Sequence, residues 1–161
     1  MRRCKPLVIV LAGLAWAQPA PSPAAAFSLS DLQGRWQGEG VLALADEPAQ
    51  RFRCRVRFRD SARERSVFSG RCATAQGAQS FVYMLHPAPG GALRAENRAE
   101  PPHELPDEME GRIGDGVLRL EAEGEALFEL RLDGEAMHFR IESERGENRG
   151  SGEASLQRLA D

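Results

Sequence analysis

Arg51-Phe52-Arg53-Cys54-Arg55-Val56-Arg57-Phe58-Arg59 is the stretch that decides the fold. Apolar or cysteine residues alternate with arginine through all nine positions, which is the period of a half-buried strand and not of a helix. Phe52, Cys54, Val56 and Phe58 share one face. The next run, Ser66-Val67-Phe68-Ser69-Gly70-Arg71-Cys72, follows a polar turn around Ser61 to Arg65, so the two runs are expected to pair as a hairpin. With Cys54 opposite Cys72, Phe58 falls opposite Phe68, Val56 opposite Gly70 and Arg55 opposite Arg71. That register is self-consistent, and Cys54 with Cys72 reads as a structural disulfide. A metal or redox site would want clustered ligands or a C-x-x-C spacing, and neither is present.

The same grammar runs through the rest of the chain. Phe128, Leu130 and Leu132 alternate with charged residues, Asp133-Gly134 turns the chain, and Met137, Phe139 and Ile141 alternate again, a strong hairpin signal. Further strands are expected at Trp36 to Ala45, Gln79 to His86, Ala92 to Asn97, Glu108 to Ile113, Val117 to Ala122 and Glu153 to Leu159. The one helical candidate is a single turn from Ser28 to Gln33, with Ser28 or Ser30 as its cap. Antiparallel strands in this number form a sandwich or a barrel, and consecutive hairpins favour the barrel. The fold class is therefore all-β: a single antiparallel up-and-down β-barrel of about 8–10 strands with a short N-terminal helical turn. Ala99 to Asp107, holding Pro101, Pro102 and Pro106, must be a loop.

Residues 1–26 read as a signal peptide and a Pro/Ala-rich spacer. Arg2, Arg3 and Lys5 precede an apolar run from Leu7 to Leu14, and small residues follow, with cleavage after Ala17 or after Ala26. That run is far shorter than the roughly 20 residues needed to cross a bilayer, so the chain is not expected to be transmembrane. The barrel domain is then 27–161, and its place is periplasmic or secreted, in a bacterial envelope. Its two cysteines suit an oxidising compartment. The whole chain has 21 Lys and Arg against 24 Asp and Glu, a net charge of −3. Removing residues 1–26 leaves 18 arginines, no lysine, and a charge of −6. Such a balance speaks against nucleic acid as a partner.

At the start of this domain, Leu32-Gln33-Gly34-Arg35-Trp36-Gln37-Gly38-Glu39-Gly40 resembles the G-x-W opening of lipocalins and other calycin barrels. The resemblance implies that Trp36 plugs one end of the barrel, after the turn, and that Arg158 from the last strand packs across the indole. Gly34, Trp36 and Arg158 are the barrel-closing residues on this reading. The longer G-x-W-x-G-x-G string also resembles nitrobindin-type haem barrels, which implies a haem-ligating histidine on the last strands. The final strand has none, and His138 alternates with the apolar face of its strand. No cofactor and no metal are therefore expected. Uncharacterised secreted lipocalin-like proteins of bacteria are the nearer likeness.

Catalytic chemistry finds no footing. His86, His103 and His138 fall beside no recognisable nucleophile, His103-Glu104 lacks a second zincin histidine, and there is no G-x-S-x-G elbow or phosphate loop. The expected function is non-enzymatic binding of a small apolar or amphipathic ligand, in a cavity lined by Trp36, Phe128, Leu130, Met137 and Phe139. The alternative is an envelope interaction or inhibitor-like protein acting through its arginines. Residues 51–71 hold eight arginines, and Arg55 opposite Arg71, with Arg53 and Arg57 alongside, needs anionic compensation. Acidic side chains of the later half would supply it, or else these four form an anion-binding face, for instance for an envelope lipid. Phe81 to Leu85, apolar on both faces, either packs internally or mediates a homo-oligomer.

Overall fold

A computed structural model of the chain describes residues 27–45, 47–61, 65–100, 105–144 and 149–160. The expected signal peptide with both cleavage sites lies outside the described residues, as does His103. A short helix α1 (Leu29–Leu32) leads into ten strands: β1 (Gly34–Leu44), β2 (Gln50–Ser61), β3 (Arg65–Ala73), β4 (Ala78–Pro87) and β5 (Ala92–Asn97) form the first half. β6 (Glu108–Gly114), β7 (Val117–Ala122), β8 (Ala126–Asp133), β9 (Ala136–Ser143) and β10 (Gly150–Arg158) complete it. Each strand pairs antiparallel with the next, and β1 pairs with β10, closing the barrel.

The β2–β3 register is the one the sequence predicts, with Cys54 opposite Cys72, Val56 opposite Gly70, and Phe58 opposite Phe68. β10 begins three residues before the expected Glu153, because Gly150-Ser151-Gly152 pairs with Leu42 to Leu44 but carries no apolar alternation to betray it. Close approach explains the glycines of the opening motif. A Cβ on Gly38 would lie 1.8 Å from the Ser155 carbonyl oxygen, and one on Gly40 would lie 2.0 Å from that of Glu153. Gly70 has a different reason: a Cβ there would sit 2.3 Å from Cζ of Phe81, whose ring fills the space.

Apolar residues point inward and charged ones outward, the reverse of a lipid-spanning barrel. Among the described residues no helix is long and apolar enough to cross a membrane. The middle of the barrel is packed with rings. Phe58 stacks on Phe68 at 4.8 Å, Phe68 meets Phe81 at 4.9 Å, and Phe128 lies 5.2 Å from Phe81 and 6.1 Å from Phe139. Such contacts add stability beyond the area they bury.

The two ends of the barrel differ. At the α1 end, Ser28 N–H donates to Asp31 Oδ2 at 2.8 Å, which sets the helical turn. Trp36 is fully buried and its Nε1–H donates to the Leu32 carbonyl at 2.8 Å. The Arg158 guanidinium lies 4.1 Å above the Trp36 ring and donates to the carbonyls of Gln33 and Asp31. Indole and cation together shut this end.

Candidate binding cup and outer wall

Because Trp36 and α1 occupy one end, the inward residues at the far ends of the strands surround the other. A cup of about 850 Å³ opens there. Leu42, Phe52, Phe81, Phe128, Leu105 and Ile141 give it apolar walls and a ring-packed floor. Its rim is polar: Glu47, Gln50, Gln76 and Gln79 all border the opening. Gln50 Nε2 donates to Glu47 Oε2 at 2.5 Å and to Gln76 Oε1 at 3.1 Å. Cys72 lines the wall, so the disulfide braces the cup itself.

The end of the proline loop belongs to this site. Tyr83, fully buried on β4, donates its hydroxyl to the Pro106 carbonyl at 2.9 Å. That bond holds Pro106 in place, and Leu105 beside it faces the cup. Burial, reinforced by the charge of Asp107, pushes the Tyr83 phenol well above its usual value, so it stays a donor throughout the ordinary pH range.

Of the five residues expected around a cavity, Phe128 faces the cup. Trp36, Leu130 and Met137 are fully buried and Phe139 nearly so, and all four sit in the packed core that forms its base. Phe52, Leu42, Leu105 and the glutamines are the lining that sequence reasoning missed. A signal for most of them was present: once Trp36 marks the plugged end, the start of β2 and the end of β1 must border the open one.

The outer wall of β1–β3 carries the four arginines expected to form an anion site. Arg53, Arg55, Arg57 and Arg71 are all exposed, and Arg55 lies directly opposite Arg71. Arg53 pairs with Glu39 at 2.5 Å, and Arg55 Nε donates to Gln37 Oε1 at 3.0 Å. The hydrogen bond and charge of Arg53 hold the Glu39 carboxyl below its usual range. Several acids of the later half neutralise arginines of their own wall instead: Arg94 pairs with Glu108, Arg119 with Glu121 and Glu129, and Arg140 with Glu142. Val82 and Met84 of the two-sided apolar strand are half-buried on the outer face, whereas Phe81, Tyr83 and Leu85 belong to the core.

The described histidines do not fit a haem site. His138 is exposed on the outer wall, and His86 faces outward toward Glu96 at 3.4 Å. Nor do described residues form a cluster of three or more metal-ligating side chains.

Fold and site together define a closed ten-stranded up-and-down barrel, plugged at one end and hollow at the other. No protein-family model matches the chain, and no curated protein does. Among solved structures, the barrel is similar to a protein of unknown function of the DUF3598 family from Nostoc punctiforme. The TM-score is 0.57 at 14% identity, over 83% of this chain and 50% of that one. The chain thus spans about half the length of that relative. It is also similar to Rv2717c from M. tuberculosis, with TM-score 0.46 and 16% identity over 82% of this chain and 95% of that one. At 14% identity the likeness to the Nostoc protein concerns the fold alone.

Proposed function

We propose that the chain is an exported, non-enzymatic barrel whose cup holds one small apolar or amphipathic molecule. The observation that carries this reading is the cup of about 850 Å³, apolar below and amide-rimmed above, within the size range of small-molecule pockets. Aliphatic and aromatic walls would take the apolar body. Gln50, Gln76 and Gln79 would orient a polar end, since amides both donate and accept. The disulfide supports an oxidising, extracytoplasmic setting.

Native mass spectrometry of protein purified from its own host tests the reading, together with titration by an environment-sensitive fluorophore such as 1-aminoanthracene. A copurifying small molecule and saturable fluorophore binding are expected. Ala126, which borders the cup, is the plug position: Ala126→Phe should weaken fluorophore binding by at least tenfold while the protein still melts cooperatively. Undiminished binding by a folded Ala126→Phe protein sinks the cup as the site. An empty barrel copurifying with a protein would favour the interaction or inhibitor-like reading.

A further inference from the structure

Seven exposed arginines lie at outward positions on three adjacent strands: Arg35 on β1, Arg51, Arg53, Arg55, Arg57 and Arg59 on β2, and Arg71 on β3. The register stacks them, with Arg57 opposite Arg35 and Arg55 opposite Arg71. From Arg51 to Arg59 the ridge runs about 26 Å at the rise of an extended strand, from the cup mouth to the plugged end. Among the described residues, β1–β3 hold two exposed carboxylates, Glu39, taken by Arg53, and Asp60 at the end of β2, which accepts from Gln33. The guanidinium groups of Arg57, Arg59 and Arg71 make no ion pair or hydrogen bond with another described residue. Like charges opposed across strands, as at Arg55 and Arg71, are unfavourable.

An apolar strip borders the ridge. Val67 stands between Arg59 and Met84 in the register, and Val82 is opposite Ser69, the partner of Arg57. The geometry points to the β1–β3 wall as a docking surface for an anionic phospholipid bilayer, with the barrel lying on its side. A lipid surface satisfies both parts of the wall. Its phosphates, free to rearrange laterally, suit guanidinium groups spread over a convex barrel, which bind phosphate in bidentate fashion. Its interfacial region receives Val82 and Met84. A soluble polyanion would use the arginines but leave the aliphatic strip without a role.

The test is co-sedimentation of the intact exported protein with vesicles of phosphatidylcholine alone and of phosphatidylcholine mixed with phosphatidylglycerol. Association with the mixed vesicles at low salt, reversed by added salt, is expected. Arg55→Gln, Arg57→Gln and Arg71→Gln together should weaken it on the order of a hundredfold, and Arg57→Gln alone about fivefold. A control removes the same charge from the paired wall: Arg94→Gln, Arg119→Gln and Arg140→Gln should change affinity by less than about threefold, because those guanidinium groups are already engaged. Equal losses in the two triple variants would mean that net charge, not this wall, governs binding, and would overturn the proposal. So would absence of association at low salt, or capture by heparin without capture by vesicles. Undiminished binding by the single Arg57→Gln protein does the same should the triple variant not fold.

Discussion

Reduction of the Cys54–Cys72 bond should cost the protein a large share of its stability while leaving the native barrel in place. The bond joins residues 18 apart, and for a loop of that size the chain-entropy argument gives about 3 kcal/mol. That loss falls on the unfolded ensemble, because the native hairpin has its own supports. The β2–β3 ladder continues on both sides of the bridge, and Phe58 stacks on Phe68 four residues along. For a domain of this size each kcal/mol moves the melting temperature by roughly 3–5 °C, so a fall of about 9–15 °C is expected. The measurement is paired thermal and urea denaturation of oxidised and reduced protein, with thiols titrated to prove reduction. The urea slope should steepen as well, since the freed chain exposes more surface on unfolding. Cys54 is fully buried, so a Cys54→Ala, Cys72→Ala protein loses some packing besides the cross-link and should melt slightly below the reduced wild type. Identical melting before and after complete reduction would refute the reasoning and place the stability of this wall in its ladder and rings alone.

Three other outcomes are expected. Tyr83→Phe should cost about 1 kcal/mol for the lost bond to Pro106, read by urea denaturation. Since the folded phenol titrates above its unfolded value near 10, its contribution is complete below pH 10 and fades as pH rises beyond it. Wild-type stability should therefore fall on the alkaline side more steeply than that of Tyr83→Phe. Arg71→Glu exchanges a like-charged rung with Arg55 for an opposite-charged one and should stabilise by about 0.2–1 kcal/mol at low salt, a gain that added salt erodes. Arg158→Gln removes the cation above Trp36 and its bonds to the α1 turn, costing about 2 kcal/mol and changing the Trp36 emission, with partial recovery in Arg158→Lys.

The barrel was legible because its strands have one wet face and one dry one. Arg51 to Arg59 set both period and register, and Cys54 opposite Cys72 pinned them. Legibility failed where side chains were too small or too mixed to carry a period. Gly150 to Gly152 hid the start of β10, since close packing against β1 demands glycine at Gly150, where a Cβ would lie 2.2 Å from the Ala43 carbonyl oxygen. The cup was harder still. Alternation tells which residues point inward but not how far along the axis the rings fill the interior. Leu130 and Leu42 look alike in sequence, yet one is sealed in the core and the other borders open space. Leu105 could not be placed at all from pattern, because its position depends on bonds from Tyr83 and Asn97 to the backbone of residues 105–107.

Nine of the ten ladders join strands consecutive in the chain, whereas the β1–β10 seam brings together residues as far apart as Trp36 and Arg158. The hairpins can therefore form early at small entropic cost, while the seam must wait for a long loop to close. Until then β1 and β10 are both unpaired edges, the condition under which two molecules can stitch together. The seam is also where Gly38 and Gly40 let the two backbones meet closely. Refolding should thus slow and turn concentration-dependent when those glycines are enlarged, with domain-swapped dimers as the by-product.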